Sequence, residues 1–301
     1  SPDGVVGLIV DHREVWVYGT NSVEVWYDAG TPDFPLQRIQ GAFNEIGCIS
    51  AYTIAKMDNG LFWLGADARG QGIVYRANGY TGQRISTHAV EWQIQQYGNL
   101  TDALAYTYQQ DGHSFYVLIF PSANTTWVYD VATGAWHERA GWSDGSFTRH
   151  RSNCQMAFNN QIIVGDYQNG NIYAFDLDTY ADNGQIQKWL RSWRALPTGQ
   201  NNLKRTAQHA MQLDMESGVG LATGQGSNPE VMLRWSDDGG HTWSNYRTTS
   251  VGKIGEYYYR VWFRRLGMTM KLRDRVYELS MTDPVKTAIM GAEILITPTN
   301  A

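Results

Sequence analysis

Cysteine, proline, positive charge and long apolar runs are all scarce in this chain, and each scarcity removes a class of protein. Only two cysteines, Cys48 and Cys154, occur in 301 residues, fewer and farther apart than a disulfide framework in a secreted domain would need. Both stand among strand-forming residues and are expected to be buried free thiols. Eight prolines against 31 glycines point to many short segments joined by tight turns. The formal net charge of −5 argues against a general affinity for nucleic acid, which is driven by counterion release onto a positive surface. A local basic patch remains compatible with it. The longest apolar run, residues 115–120, falls far short of the roughly 20 residues of a membrane span, and no signal-peptide pattern is present, so no membrane partner is expected.

Recognisable chemistry is also lacking. The histidines His12, His88, His113, His137, His150, His209 and His241 show no metal-ligand spacing, and no Cys-x-x-Cys occurs. Gly218-Val-Gly-Leu-Ala-Thr-Gly224 lacks the lysine of a phosphate loop, and no nucleophile elbow is found. No catalytic residue, metal ligand or cofactor is therefore expected.

What is plentiful is aromatic: 12 Trp, 18 Tyr and 9 Phe make up 13% of the chain, and flat or branched side chains suit a pleated surface. They recur in strand-turn-strand units. The first strands centre on Trp16, Trp63, Val117 and Ile163, spaced by 47, 54 and 46 residues, and the second on Trp26, Tyr75, Tyr129 and Phe175, spaced by 49, 54 and 46. Both strands of the unit step together. A period of about 45 to 50 residues is the size of a four-stranded propeller blade, although a sandwich or meander could mimic it by chance. The intervening turns, such as Gly19-Thr-Asn-Ser22 and Gln168-Asn-Gly-Asn171, carry residues that tolerate positive φ or bond their own backbone. One segment breaks the pattern: Val90, Ile94 and Tyr97 fall at helical spacing behind Ser86 or Thr87 as N-cap, which predicts a short surface helix.

The expectation is an all-β chain with a β-propeller-like array of blades over residues 1–194 and a Gly/Pro-punctuated linker at 195–205. A C-terminal β unit, a further blade or a sandwich, follows over 206–301. Ser1-Pro-Asp-Gly4 reads as a turn within a longer protein.

Two motifs lie in the C-terminal part. Ser236-Asp-Asp-Gly-Gly-His-Thr-Trp243 resembles the Asp-box of sialidases and other propellers: Asp238 can bond turn amides, Gly240 permits a left-handed backbone, and Ser236, Thr242 and Trp243 complete a hairpin packed on its sheet. It supports a hairpin, inside a blade, more than it supports catalysis. The glycosidase alternative, an Asp-box propeller that binds or cleaves glycans, would also need an arginine cluster, a Tyr nucleophile with its Glu and an acid Asp, and no such set can be nominated. The second motif is a basic segment, Arg260, Arg264, Arg265, Lys271, Arg273 and Arg275, beside one acid. Alternation puts Lys271, Arg273 and Arg275 on one strand face. That face is either simply solvated or meets DNA or an acidic neighbour.

Several strings then resemble one family together, in order: Val10-Asp-His-Arg-Glu-Val-Trp-Val-Tyr-Gly19, Ser22-Val-Glu-Val-Trp-Tyr27, Arg38-Ile-Gln-Gly41, Ile46-Gly-Cys48, Phe62-Trp-Leu-Gly-Ala-Asp67, Tyr75-Arg-Ala-Asn-Gly79, Arg84-Ile-Ser-Thr-His88 and the Asp-box. They are similar to the packaged-DNA stabilisation proteins, or tail hub and nozzle proteins, of short-tailed bacteriophages, from Ser1 to about Thr297. The resemblance implies a non-enzymatic virion protein, assembled in the host bacterial cytoplasm as a ring of six copies. Its partners would be the portal adaptor and the distal tail needle or tailspike proteins, with transient DNA contact, and its task to close the portal channel and retain packaged DNA. It also implies a longer N-terminus than this chain has.

Overall fold

The computed structural model describes residues 3–67, 70–194, 204–270 and 275–299. Contacts divide the chain into two compact units, residues 1–175 and 176–301.

The first unit is a succession of antiparallel sheets, each formed by consecutive strands. The first sheet runs Val5–Asp11, Glu14–Gly19, Val23–Asp28 and Leu36–Asn44. In the second, Gly47–Cys48 and Ala55–Met57 both pair with Gly60–Asp67, followed by Gly70–Asn78 and Thr81–Arg84. The third is Leu104–Gln110, His113–Phe120, Thr125–Asp130 and Ala135–Glu138, and the fourth is Ser152–Phe158, Gln161–Asp166 and Ile172–Ala174. A small hairpin, Ala140–Ser143 with Ser146–Arg149, stands between the last two. The strand pairs that carry the sequence period are the second and third strands of each sheet.

A further repeat lies in the turns of the sheets. In all four sheets a two-residue turn in the left-handed region joins the first long hairpin: His12-Arg13 at φ 49° and 69°, Asp58-Asn59 at 48° and 55°, Asp111-Gly112 at 48° and 80°, and Asn159-Asn160 at 48° and 59°. Such turns match the twist of the strands they connect. At His12-Arg13 the fold imposes this conformation on residues that rarely adopt it, which is why composition did not reveal it.

Burial follows from the stacking. Along Gly60–Asp67, Leu61 and Trp63 pack toward the first sheet while Phe62 and Leu64 pack toward the third. Along His113–Phe120, Tyr116, Leu118 and Phe120 face the second sheet, and Val117 and Ile119 face the fourth. These strands are buried on both faces, so they read as continuous apolar runs. Aromatic contacts bridge each successive pair of sheets, among them Tyr18 on Trp63 at 5.3 Å, Phe62 stacked on Tyr116 at 5.3 Å and Tyr108 on Phe175 at 5.1 Å. At Gly47 the first two sheets approach so closely that a Cβ would lie 1.9 Å from the Thr20 carbonyl oxygen.

The predicted helix is His88–Gln95, capped by the Thr87 hydroxyl, which accepts from the Val90 amide at 3.4 Å. It is less a surface helix than expected, because Val90, Glu91 and Ile94 are buried. Ser86 does not cap it; its hydroxyl donates to Glu91 at 2.6 Å, and Arg84 pairs with the same carboxylate.

The second unit is a pair of sheets around one core. Trp189–Arg194, Val276–Met281, Glu230–Ser236 and Arg247–Ser250 form one sheet in that spatial order, and Val261–Met268, Thr206–Met215 and Ile289–Pro298 form the other. Met211, Leu213, Leu233, Phe263, Tyr277 and Leu279 fill the space between them. The expected boundary after residue 194 thus differs from the contact division after Phe175, because Trp189–Arg194 pairs with Val276–Met281. Most of the expected linker, residues 195–203, lies outside the described residues.

Candidate functional site

The Asp-box forms the turn that follows Glu230–Ser236. Ser236 Oγ donates to Asp238 Oδ1 at 2.6 Å and accepts from the amides of Asp238 at 3.3 Å and Gly240 at 2.8 Å. The Asp238 carboxylate accepts from the Thr242 amide at 2.8 Å and the Thr242 hydroxyl at 2.6 Å. Gly239 and Gly240 take φ of 77° and 102°, the left-handed backbone that glycine permits. Bonds from the Ser236 hydroxyl, then from Thr242, hold the Asp238 carboxyl well below the usual carboxylate range. The side chains of Ser236, Asp238 and Thr242 are thus engaged inside the turn itself. The hairpin belongs to the sandwich of the second unit and not to a blade, which corrects the expectation.

The neighbouring Asp237, to which the motif assigns no role, binds Arg275. The guanidinium donates to both its carboxylate oxygens, Nε at 2.7 Å and Nη2 at 2.9 Å, and also to the carbonyls of Leu266 at 2.6 Å and Met268 at 3.0 Å. It lies 5.2 Å from the Trp235 ring centroid. The Arg275 side chain is 2% exposed, so it is not part of a surface patch. Its position in the basic segment conceals a buried tie between the Asp-box turn and the end of Val261–Met268. Of the remaining basic residues, Arg260, Arg264 and Arg265 are exposed, and the Arg264 guanidinium lies 5.4 Å from the Trp262 ring. Lys271 and Arg273 lie outside the described residues.

Sequence reasoning missed a second charged cluster on the same sheet. Arg234 pairs with Glu278 through Nε at 2.5 Å and Nη2 at 2.9 Å, and lies 4.6 Å from the Trp243 ring and 4.9 Å from the Tyr246 ring. Tyr246 donates to Glu278 at 3.4 Å. Arg234 and Glu278 are directly opposed across two strands, a relation visible only once the register is known. The hydrogen bonds that Arg234 donates to Glu278 raise the Arg234 pKa, while burial lowers that of Lys188 nearby.

Neither cysteine is bonded: Cys48 is buried, as expected, but Cys154 is exposed because Ser152–Phe158 turns that face outward. Among the described residues no cluster of His, Cys, Asp or Glu could hold a metal ion, and no helix is long and apolar enough to cross a membrane.

Successive antiparallel sheets stacked on apolar faces, followed by a two-sheet unit, define a β-propeller and β-sandwich protein. Residues 1–180 match the family model described as Bacteriophage P22 Gp10, beta-propeller, and residues 188–297 match that described as Bacteriophage P22 Gp10, beta-sandwich. The chain belongs to this bacteriophage P22 Gp10 family of DNA stabilisation or tail hub proteins, and is a phage tail structural protein. No curated protein matches it.

Proposed function

We propose that copies of this chain assemble as a ring of about six beneath a portal and its adaptor, where they help close the channel, retain packaged DNA and carry the distal needle or tailspike proteins. The family match over both units carries this reading. The chemistry of the molecule supports a mechanical and non-enzymatic role. Its polar motifs are internal ties: the Asp-box closes its own turn, Arg275 clamps Asp237, and Arg234 clamps Glu278. Stacked sheets resist deformation because each middle sheet is packed on both faces, and holding DNA behind a plug needs no bond to be made or broken. An acidic chain suits a passage through which DNA must later leave, since a strongly basic wall would retain it.

Arg260, Arg264 and Arg265 are the exposed residues proposed to meet DNA or an acidic neighbouring subunit. The test is complementation of phage lacking this protein with an Arg260→Gln, Arg264→Gln, Arg265→Gln variant. Fewer complete tails by negative-stain microscopy, or DNA released on mild heating, is the expected result with an unchanged melting temperature. Particles as stable as wild type would remove the patch from the proposal. Turnover of fluorogenic sialosides by the purified chain would instead favour the glycan-cleaving reading.

A further inference from the structure

The third sheet and the helix His88–Gln95 enclose a cleft of about 540 Å³, lined in part by Gln93, Tyr97, Trp127, Trp136 and Glu138. Its walls belong to the junction of the second and third sheets, which is built from residues 47–138, so the way the ends of the stack are closed does not bear on it. Two hydrogen bonds fix the rings: Trp127 Nε1 donates to the Tyr97 hydroxyl at 3.0 Å, and Trp136 Nε1 donates to the Ile85 carbonyl at 2.9 Å. The register puts Glu138 directly opposite Trp127, and Trp136 lies two residues before Glu138 on the same strand. All three side chains therefore share one face of the third sheet.

What the cleft offers a ligand follows from what is already engaged. Both indole N–H groups are spent, and the Thr125 hydroxyl donates to the Ala123 carbonyl at 3.1 Å. Glu138 is accessible from outside and has no hydrogen-bond or ion-pair partner among the described residues; the surrounding protein desolvates its carboxyl and raises its pKa. Aromatic faces around an unpaired carboxylate suit a group that only donates. They suit a sugar less well, whose hydroxyls need donors as well as acceptors. The chain itself shows twice which group fills such a setting. Arg234 pairs with Glu278 beside the Trp243 and Tyr246 rings, and Arg275 pairs with Asp237 beside the Trp235 and Tyr277 rings. In the cleft a carboxylate, two tryptophans and a tyrosine stand together, and no arginine is among the residues that line it.

We propose that this cleft receives an arginine side chain from a partner protein, its guanidinium paired with Glu138 and its plane laid against the Trp127 and Trp136 rings. Arginine fits better than lysine because its planar fork stacks on aromatic faces and meets a carboxylate through two parallel hydrogen bonds. The site lies in the first unit, apart from the basic segment and the Asp-box of the second, and adds to the tail role a stated chemistry of recognition.

The test is titration of the isotope-labelled full chain with N-acetylarginine amide, followed by the indole N–H signals in nuclear magnetic resonance spectra, with Trp127→Phe and Trp136→Phe assigning the two signals. The expected result is a saturable shift of both. The uncharged N-acetylcitrulline amide, of nearly the same shape, should shift them several-fold less, and Glu138→Gln should reduce the arginine response to the citrulline level. Because Glu138 has no partner among the described residues, that substitution should leave the melting temperature unchanged, so a lost response is not lost folding. Signals that stay still, that move equally with citrulline, or that move equally in Glu138→Gln overturn the proposal. So does an equal response to N-acetyllysine amide, or a response to N-acetylglucosamine in place of arginine, which would make the cleft a glycan site. Free arginine binding more tightly than its blocked form would make it a small-molecule site and overturn the assignment of a partner protein. In complementation, Glu138→Gln should give fewer complete tails than the wild-type chain, and an equal yield also overturns that assignment. Failure of the wild-type chain to complement would count against the tail role alone, and the titrations would still decide the cleft.

Discussion

Removing Arg275 leaves the Asp237 carboxylate and the Leu266 and Met268 carbonyls without their donor in a place with little access to water. Breaking a buried pair from one side is costly because the surviving charge stays desolvated. Asp237 is 18% exposed and can recover some hydration, which sets the expected loss for Arg275→Gln near the low end, about 3 kcal/mol. Urea unfolding measures it, with Arg264→Gln as the exposed control expected within about 0.5 kcal/mol of wild type. Equal effects at the two positions would show that Arg275 is not the tie described. Asp238→Ala acts by a different route: it strips the turn of the acceptor for the Thr242 amide and hydroxyl and should lower the melting temperature, with Asp238→Asn falling between. Since the fold holds this carboxyl below its ordinary pKa, its contribution is present above the unfolded carboxylate range and fades as acid protonates it. A melting temperature difference between wild type and Asp238→Ala that stayed constant down through that range would contradict this.

Sheets meet through a few specific residues, and one of these meeting points is sensitive to pH. The His150 Nδ1 accepts from the Ser152 hydroxyl at 2.6 Å, and that hydroxyl also bonds the Tyr106 hydroxyl of the third sheet at 2.5 Å. Burial, reinforced by the Arg139 and Arg151 charges, pushes the His150 pKa down to about 3. In the unfolded chain the ring takes its proton near pH 6.5. Below that pH the unfolded state therefore binds more protons than the folded one, and stability falls as pH drops from about 6.5 toward 3, by up to about 1.4 kcal/mol per unit. Thermal melts between pH 7 and 5 should show this slope, and His150→Gln, which keeps an acceptor without the titration, should flatten it. An identical slope in the variant would place the sensitivity elsewhere. Much at this scale was legible in the sequence: the paired Trp and Tyr strands recur at blade spacing because they are the long middle strands of each sheet. The outer strands were not legible, since Gly47–Cys48 and Ala55–Met57 are too short for alternation to register. The burial of Arg275 was hidden as well, because its partner lies 38 residues upstream in sequence and only the folded register brings them together.

At the scale of the molecule, the two compact units meet in sequence just after Phe175, and the family models leave residues 181–187 between them. The stretch from 176 to 188 has little regular structure: Asp182 and Gln185 make one isolated bridge, and Leu177 and Ile186 are exposed. Each unit has its own apolar core, three clusters for the sheet stack and one for the sandwich. A chain segment with few buried contacts opens locally at low free energy and is cut first by proteases, while strands whose amides sit in ladders are protected. Brief digestion should therefore cleave between residues 176 and 188 before either core, and yield two fragments that each keep a cooperative unfolding transition. Mass spectrometry fixes the cut, and far-UV circular dichroism of the separated fragments decides whether each retains β structure. First cuts inside Gly60–Asp67 or Val276–Met281, or fragments without a transition, would mean that the cores do not stand on their own, and that the stability of the tail protein is a property of the whole chain.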